Sequence, residues 1–495
     1  MIVYNNDVMK LEKLLENIEY TLLSGDINQE VSQIDYDSRK VVNNSLFVCI
    51  TGSVVDGHKF IDSVIDQGAK VIVVTKDVDV KEGITYIKVE NARKTLAQLS
   101  CNYFDHPSKK MTVIGLTGTK GKTTISYMIY NILSLANQKA GLIGTAGSIV
   151  NGVHKETRNT TPESFELQKL MNEMVEAGCQ YCVMEVSSQG LMLDRVYGID
   201  FDIGVFTNLS RDHISPTEHK DFDDYMNCKK KLFNMCKIGF FNQDDLHYKD
   251  MTNNVSCDIV TYGLNQGDLK AWNTQLYKEK GKLGISFDTT GMIEDHFDVD
   301  IPGNFSVYNA LVSILISHHL HIPIDTIKDA LKKVYVKGRV EIVPYSDDFT
   351  VIIDYAHNQL SMESIIDTML AYHPSRITCI FGSPGKRDIS RRVDVGKVFG
   401  QKHVHAILTE DDSRGEDVTS ICEMIADAMK EYSDDYMIIE NRKEAIIYAL
   451  DHAIKNEIIL CLGKGHETHM VGKNEEWTYF SEREIIETHK KEKKS

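Results

Sequence analysis

The segment from Gly115 to Thr124, Gly-Leu-Thr-Gly-Thr-Lys-Gly-Lys-Thr-Thr, constrains the fold more than any other stretch of the sequence. It follows an apolar run that is typical of a buried strand, and a helical pattern begins at about Lys122. A glycine-rich turn between a strand and a helix is typical of a phosphate-binding loop, because glycine lets backbone N–H groups curl around phosphate oxygens. Lys122 supplies a positive charge there, and the Thr123 hydroxyl is suited to a magnesium shell. The segment predicts a triphosphate site in an α/β domain.

Strands and helices alternate in three successive series. Short apolar strands and helical patterns run to about residue 110, near-continuous apolar strands follow from Met111, and a third series begins after Gly338. Near-continuous apolar strands that alternate with helices indicate a parallel sheet covered on both faces. At ~100–200 residues per domain, a chain of this length holds two to four domains. We predict three α/β domains, at residues 1–110, 111–337 and 338–495.

Composition excludes several classes of partner. The chain has 495 residues, with 55 basic and 72 acidic side chains and a formal net charge of −17. This balance gives no electrostatic footprint for nucleic acid or for an anionic membrane surface. No window approaches the ~18 apolar residues of a membrane span, and the N-terminus lacks a signal-peptide pattern, so a cytoplasmic protein is expected. The ten cysteines are scattered, mostly in apolar runs, which favours a structural role over disulfides or a metal site.

Polar residues follow two of the central apolar runs. Glu185 lies one residue before the end of the run Tyr181 to Val186, and His213 closes the segment Thr207-Asn208-Leu209-Ser210-Arg211-Asp212-His213. Ligands bind at the carboxyl ends of parallel strands in open α/β sheets, so both side chains are expected at the same edge. A carboxylate and an imidazole beside a triphosphate loop predict a magnesium site. A lysine cluster, residues 229 to 231, follows on a predicted helix.

These motifs resemble those of the Mur ligases, the ATP-dependent amide-forming enzymes of peptidoglycan assembly, over essentially the whole chain. The resemblance implies a three-domain architecture, with a central P-loop parallel sheet and a C-terminal Rossmann-like α/β domain. It also implies that Arg339 faces the phosphates of ATP, Asp354 its ribose and Asn309 its adenine. The implied ATP-binding residues are Gly118, Thr119, Lys120, Gly121, Lys122, Thr123, Thr124, Asn309, Arg339 and Asp354. The implied Mg²⁺ ligands are Thr123, Glu185, His213 and Lys229, the last as a carbamate.

Within this family, the N-terminal and final motifs resemble the MurE type, which adds the third residue of the stem peptide to UDP-N-acetylmuramoyl-L-alanyl-D-glutamate. The residues that match its muramoyl-dipeptide contacts are Ser38, Asn159, Thr160, Thr161, Ser187 and Arg195. The residues that match its amino-acid pocket are Arg387, Asp411, Asp412, Ser413, Arg414, Gly463 and Glu467.

The amino acid added is the least constrained part of this interpretation. Diaminopimelate-adding relatives read Asp-Asn-Pro-Arg where this chain reads Asp411-Asp412-Ser413-Arg414. Arg387 and Arg414 keep guanidinium donors suited to a second carboxylate. The Asp412 carboxylate either favours a lysine-like ammonium or neutralises Arg414. We favour meso-diaminopimelate over lysine or another diamino acid.

The reaction implied by the resemblance is amide synthesis through an acyl phosphate. ATP phosphorylates the D-glutamate γ-carboxylate, and the free amine of the amino acid then displaces phosphate. The implied catalytic residues are Lys122, Lys229, His213 and His357, and His357 is a candidate proton acceptor. Since the phosphate loop and the other nucleotide motifs fall in different predicted domains, domain closure is expected to complete the site.

Two alternative interpretations stay open at the sequence level. One is another amide ligase of the superfamily, of the folylpolyglutamate, cyanophycin or polyglutamate synthetase type. The other is a catalytically silent, ATP-binding regulatory homologue. A monomer is expected in either case.

Overall fold

The computed structural model describes residues 8–52, 55–211, 214–215, 218–472 and 474–494. The chain forms two compact units, one of Met1–Lys122 with Asn137–Thr261 and one of Thr123–Ala136 with Tyr262–Ser495. Both units contain mixed sheets flanked by helices, so the predicted α/β class is confirmed. The domain boundaries at residues 110 and 337 stay a prediction. Across the part of the chain that is described, no helix combines the length and the apolar character that crossing a bilayer requires.

A five-stranded sheet lies in the N-terminal part of the first unit. Its strand order is β2-β7-β6-β5-β4, and all neighbours are parallel except β2 and β7. Its apolar strands pack against α1 and α3 in one buried cluster. The elements are β1 (Met9–Lys10), α1 (Leu11–Leu14), β2 (Thr21–Ser24), β3 (Glu30–Val31), β4 (Gln33–Asp35), β5 (Ser45–Val48), α2 (Ile61–Asp66), β6 (Val71–Val74), β7 (Thr85–Lys88) and α3 (Ala92–Tyr103).

A larger sheet follows in the same unit, in the order β11-β10-β9-β12-β8-β13-β14-β15. The five strands from β9 to β14 in this order are parallel, as the near-continuous apolar runs predict. The carboxyl ends of β12, β8 and β13 therefore meet at one edge. The elements are β8 (Thr112–Thr117), β9 (Ala140–Gly144), β10 (Gly147–Val150), β11 (Val153–Lys155), α5 (Ser164–Glu176), β12 (Tyr181–Glu185), α6 (Ser188–Met192), β13 (Phe201–Phe206), α7 (Phe222–Lys230), β14 (Cys236–Asn242), α8 (Tyr248–Thr252) and β15 (Asp258–Gly263); α4 (Lys122–Leu135) follows β8 along the chain.

The second unit begins with antiparallel strands that the sequence interpretation does not include. The strands β16 (Leu269–Glu279), β17 (Lys282–Gly291) and β18 (His296–Val299) pair in that order. Polar and apolar residues alternate along much of β17 and β18, and the middle of β16 is exposed. None of the three strands is therefore a continuous apolar run. The helices α9 (Phe305–His319) and α10 (Ile324–Leu331) follow, and Ser313 of α9 contacts Met128 of α4.

The C-terminal sheet has the order β19-β20-β24-β21-β22-β23, and only β19 and β20 are antiparallel. The loops after β20, β21, β22 and β24 therefore leave the same edge, which brings the predicted ribose and amino-acid motifs to one side. The elements are β19 (Glu341–Val343), β20 (Thr350–Asp354), α11 (Gln359–Leu370), β21 (Ile377–Phe381), α12 (Ser390–Gln401), β22 (His405–Leu408), α13 (Val418–Met429), β23 (Tyr436–Ile438), α14 (Arg442–Asp451), β24 (Ile458–Leu462), β25 (His469–Val471), β26 (Trp477–Tyr479) and α15 (Glu482–Lys494).

A fully buried ion pair fixes the start of α15 on this sheet. The Arg442 guanidinium donates to Glu482 Oε1 at 2.7 and 2.9 Å and to the Leu462 carbonyl at 2.7 Å. We expect Arg442→Met to lower the free energy of unfolding by about 3–5 kcal/mol, because the Glu482 carboxylate is left buried without its cation. Urea unfolding followed by circular dichroism measures the loss. The double variant Arg442→Met/Glu482→Leu buries no charge and should recover part of it; a single variant as stable as wild type contradicts the assignment.

Candidate active site

The predicted phosphate loop lies between the end of β8 and the start of α4. Gly118 and Gly121 have φ of +144° and +91°, values that L residues rarely adopt. A Cβ on Gly118 would lie 2.0 Å from the Thr207 hydroxyl oxygen, so the loop can pass beside β13 only because this residue is glycine. The helix starts at Lys122, as the sequence predicts, and Thr123 is buried in its first turn.

Two lysine ammonium groups converge on the loop. Lys122 Nζ donates to the carbonyl oxygens of Gly118 and Thr119, at 2.8 and 3.1 Å. Lys229 Nζ, from α7, donates to the same Gly118 carbonyl at 2.9 Å and lies 4.5 Å from the centre of the Tyr225 ring. Lys229 is only 2% exposed. Two cations thus stand beside a loop whose shape suits an anion.

Asn208, directly after β13, holds the other side of the loop. Its Oδ1 accepts from the Lys120 N–H at 2.9 Å, and its Nδ2 donates to the Lys120 carbonyl at 3.0 Å. The Asn208 carbonyl accepts from the Thr119 N–H at 2.9 Å. The motif from Asn208 onward therefore shapes the loop. His213, the predicted imidazole of this motif, lies outside the described residues.

Glu185 is the buried acidic residue of the site. It is 1% exposed, and its two oxygens accept from the Thr145 N–H at 2.9 Å and the Thr145 hydroxyl at 3.1 Å. Both donors are neutral groups. A Cβ on Gly144 would stand 2.3 Å from Glu185 Oε1, so this glycine makes room for the carboxylate. A buried carboxylate that accepts from one backbone N–H and one hydroxyl fits a Mg²⁺ ligand.

Four of the six residues predicted to hold the muramoyl dipeptide lie in a hydrogen-bonded group around Glu185. Thr161 Oγ1 donates to the Glu185 carbonyl at 3.0 Å and accepts from the Ser187 N–H at 3.0 Å. Arg195 donates to the Thr161 carbonyl at 3.1 Å. Thr160 reaches the same group through the Thr145 hydroxyl, at 3.0 Å. Of the other two predicted contacts, Asn159 is half-buried beside Thr160, and Ser38 follows β4 in the N-terminal sheet.

In the second unit, two of the predicted nucleotide residues, Arg339 and Asp354, lie near the end of β20. Asp354 accepts from the N–H groups of Val340 and Ala356, both at 2.7 Å, and burial raises the pKa of its carboxyl. The Arg339 guanidinium lies 4.9 Å from the centre of the Tyr355 ring. His357 Nδ1 lies 2.8 Å from the Tyr355 carbonyl oxygen, which accounts for one of its two ring nitrogens. Asn309 is buried in α9.

The predicted amino-acid residues lie at the same edge of that sheet. The Gly463 N–H donates to the Asp354 carbonyl at 3.1 Å, so the ribose and amino-acid motifs are directly connected. Asp411, Asp412 and Ser413 are buried after β22, whereas Arg414 is partly exposed. Arg387 is exposed in the loop after β21. Glu467 accepts from Lys464 Nζ at 2.8 Å and from the Tyr355 hydroxyl at 3.3 Å.

The sequence interpretation missed three residues that shape these groups. Thr145 binds Glu185 because β9 lies next to β12, a pairing that the sequence does not state. Tyr225 stands one helical turn before Lys229, a spacing that could have been used to find it. Lys464 lies in sequence between the predicted pocket residues Gly463 and Glu467, and it is fully buried among three carboxylates.

Comparison with known proteins decides the family. Sequence profiles match residues 30–104 (Mur ligase family, catalytic domain), 116–317 (Mur ligase middle domain) and 338–465 (Mur ligase, glutamate ligase domain). A curated UDP-N-acetylmuramoyl-L-alanyl-D-glutamate--2,6-diaminopimelate ligase from Clostridium perfringens is 40% identical over 487 residues, which cover 97% of this chain and 99% of that protein. The chain belongs to the Mur ligase family. A ligase of the same name from Clostridioides difficile is 37% identical over 96% of this chain and 98% of its own length.

Solved Mur ligase structures agree in fold. A UDP-N-acetylmuramoyl-L-alanyl-D-glutamate--2,6-diaminopimelate ligase matches with a TM-score of 0.71 and 24% identity, over 99% of this chain and all of its own. A MurF ligase from Thermotoga maritima in complex with ADP matches with a TM-score of 0.58 and 17% identity, over 94% and 98%. The predicted Mur ligase architecture is confirmed.

Proposed function

We propose that this Mur ligase joins meso-diaminopimelate to the D-glutamate of UDP-N-acetylmuramoyl-L-alanyl-D-glutamate, at the expense of ATP. The observation that carries the proposal is the end-to-end match to diaminopimelate ligases, 97% of this chain against 99% of the relative. A folylpolyglutamate synthase from Thermotoga maritima, by contrast, covers 74% of this chain. The silent-homologue alternative is disfavoured because Lys122, Glu185 and Lys229 are all in place.

The chemistry follows from the low electrophilicity of a carboxylate. Phosphoryl transfer from ATP gives the γ-carboxylate a leaving group, and the amine then attacks the acyl phosphate and displaces phosphate. In this proposal Lys122 binds the transferring phosphoryl group, where charge builds up. Mg²⁺, held by Glu185 with Thr123, His213 and the Lys229 carbamate as further proposed ligands, supplies charge neutralisation at the phosphate oxygens. The buried Glu185 carboxylate is the observation that supports a Mg²⁺ site here.

The remaining residues bind and orient the substrates. Arg339, Asp354 and Asn309 hold the nucleotide, while Thr160, Thr161, Ser187 and Arg195 hold the muramoyl dipeptide. Glu467 accepts hydrogen bonds from the ammonium of the incoming amino acid. Arg387 and Arg414 bind the second carboxylate of that amino acid. His357 is placed to accept the proton released by the attacking amine. Both substrates and ATP are cytoplasmic metabolites, so the proposed reaction takes place in the cytoplasm; a monomer is expected.

A substrate panel tests the proposal. The purified enzyme is given ATP, Mg²⁺ and UDP-N-acetylmuramoyl-L-alanyl-D-glutamate, with meso-diaminopimelate, L-lysine, D-lysine or ornithine in separate reactions. We expect phosphate release and a product whose mass increases by one diaminopimelate residue only in the first reaction. Reactions without the dipeptide substrate serve as controls. Release of phosphate without a mass gain, or no reaction with any of the four amino acids, would contradict the proposed activity.

A further inference from the structure

The side chain of Glu341, the first residue of β19, accepts three hydrogen bonds within the protein. Its Oε1 accepts from Arg483 Nη1 at 2.6 Å and from the Tyr335 hydroxyl at 3.2 Å. Its Oε2 accepts from the Gly338 N–H at 2.6 Å. The Glu341 side chain is only 2% exposed, so these donors take the place of water. Of the three donors only Arg483 is charged, and it lies 142 residues further along the chain, in α15.

The orientation of the Arg483 guanidinium is fixed by two further contacts. Its Nε donates to Glu487 Oε1, one turn along α15, at 2.8 Å. Its central carbon lies 4.9 Å from the centre of the Tyr335 ring. A planar guanidinium that is bonded along its edge and lies over an aromatic ring has a defined orientation. The first turn of α15 is therefore tied to the segment that leads into β19, residues 335–340.

This segment contains Arg339 and has an unusual backbone. Gly338 has a φ of +66° and Val340 a φ of +45°. A left-handed conformation is rare for a β-branched residue, and it persists only where the surroundings impose it. The Gly338 N–H is bonded to Glu341, and the Val340 N–H donates to Asp354 Oδ2 at 2.7 Å. The residues on both sides of Arg339 are therefore fixed by carboxylates.

We propose that Arg483 is a positioning residue of the nucleotide site, which acts through Glu341 to hold the backbone that presents Arg339 to the phosphates of ATP. This inference rests on the proposed function, in which Arg339 binds the nucleotide. Without Arg483, Glu341 is a buried carboxylate with neutral donors, and the cost of that burial favours its rotation toward water. The rotation releases the Gly338 N–H and frees the backbone beside Arg339. The helix α15 thus contributes to nucleotide binding, although the sequence interpretation assigns no ATP contact to it.

The test compares wild type with Arg483→Met, in steady-state ligation and in titrations with AMP-PNP, a hydrolysis-resistant ATP analogue. We expect the KM for ATP and the Kd for AMP-PNP to rise about tenfold, the effect of losing one charge-assisted hydrogen bond. The KM values for the dipeptide substrate and for meso-diaminopimelate stay unchanged, because neither is bound by Arg339 in the proposed function. Circular dichroism checks that the variant is folded.

A double-mutant cycle with Arg339 shows whether the effect passes through that residue. Arg339→Ala itself should raise the Kd for AMP-PNP. In the Arg339→Ala background, Arg483→Met should add less than about a further twofold, because residues that act as one unit are not additive. General structural damage would add its whole factor in either background.

Glu487→Gln is a matched control, because it removes the second carboxylate partner of Arg483 and keeps the pair with Glu341. Its kinetics should match wild type. Arg483→Lys keeps a cation beside Glu341 but loses the planar fork, so its Kd for AMP-PNP should lie between those of wild type and Arg483→Met. Should Arg483→Met fail to fold, Glu341→Gln, which weakens the bond to the Gly338 N–H, should show the same selective loss of nucleotide binding.

Three outcomes overturn the inference. An equal rise in the KM values of all three substrates would mean that Arg483 only stabilises the fold. The same factor from Arg483→Met in Arg339→Ala as in wild type would mean that Arg483 does not act through Arg339. A wild-type Kd for AMP-PNP in folded Arg483→Met would exclude any role in nucleotide binding. Because the titrations need no ligation, a wild-type enzyme that joins none of the amino acids contradicts the proposed function, while the titrations still decide this inference.

Discussion

Lys122→Ala is expected to abolish ligation while the protein stays folded. Lys122 Nζ stands at the mouth of the phosphate loop, on the carbonyl oxygens of Gly118 and Thr119. In the proposed mechanism, a point charge at this position stabilises the transferring phosphoryl group more than the ground state, so its loss lowers kcat. We expect kcat to fall at least about 100-fold, since removing one preorganised electrostatic partner typically costs about 10²–10³-fold in kcat. Coupled assays of phosphate release and product mass measure the change.

The fold should tolerate this change. Alanine is the best helix former, Lys122 is the first residue of α4, and Lys229 still donates to the Gly118 carbonyl in the variant. The melting temperature should stay within about 3 °C of wild type. Lys237→Ala removes a lysine whose side chain is 76% exposed and pairs with Asp202, so it controls for the loss of one surface cation. Near-normal ligation by folded Lys122→Ala would remove the lysine from the mechanism.

The parts of this site that could be predicted from sequence are those set by local chain geometry. The phosphate loop was identified because its glycines, its lysine and the flanking strand and helix are contiguous, and α4 does begin at Lys122. Glu185 was placed at a strand end because an apolar run stops there, and β12 ends at that residue. In each case residues that are neighbours in sequence predict the local structure. The rule that ligands bind at the carboxyl ends of parallel strands then predicts the site.

The parts that could not be predicted depend on partners distant in sequence. Thr145 binds a carboxylate 40 residues away, and Lys464 binds one 52 residues away. Neither pairing leaves a periodic pattern, because it depends on which strands become neighbours in the sheet. The sequence therefore leaves two roles open for Asp412, and it gives no sign that Lys464 Nζ lies 3.0 Å from Asp412 Oδ1. The antiparallel strands β16 and β17 were missed for a different reason, since their exposed face makes them polar.

The second large effect is expected at Lys229. We propose that this lysine is carbamylated in the working enzyme, as the resemblance to the family implies: its neutral amine attacks CO₂, a C–N bond forms and one proton is released. The product is an anion, a suitable Mg²⁺ ligand. In the unmodified state described here, Lys229 donates to the Gly118 carbonyl.

Lys229→Met should lower kcat at least about 100-fold, because methionine supplies neither a donor to the loop nor a carbamate. The neighbouring lysine provides a matched control: Lys231 is exposed, and Lys231→Met should behave as wild type.

An experiment with bicarbonate distinguishes the two proposed roles of Lys229, donor to the phosphate loop and carbamate. Wild-type enzyme freed of CO₂ should lose activity and regain it with bicarbonate, whereas Lys229→Met should respond to neither treatment. Activity of wild type that is independent of CO₂, with Lys229→Met still inactive, would leave Lys229 as a donor to the phosphate loop and exclude the carbamate. Full activity of Lys229→Met would exclude both the donor role and the carbamate role of this residue, because methionine can supply neither.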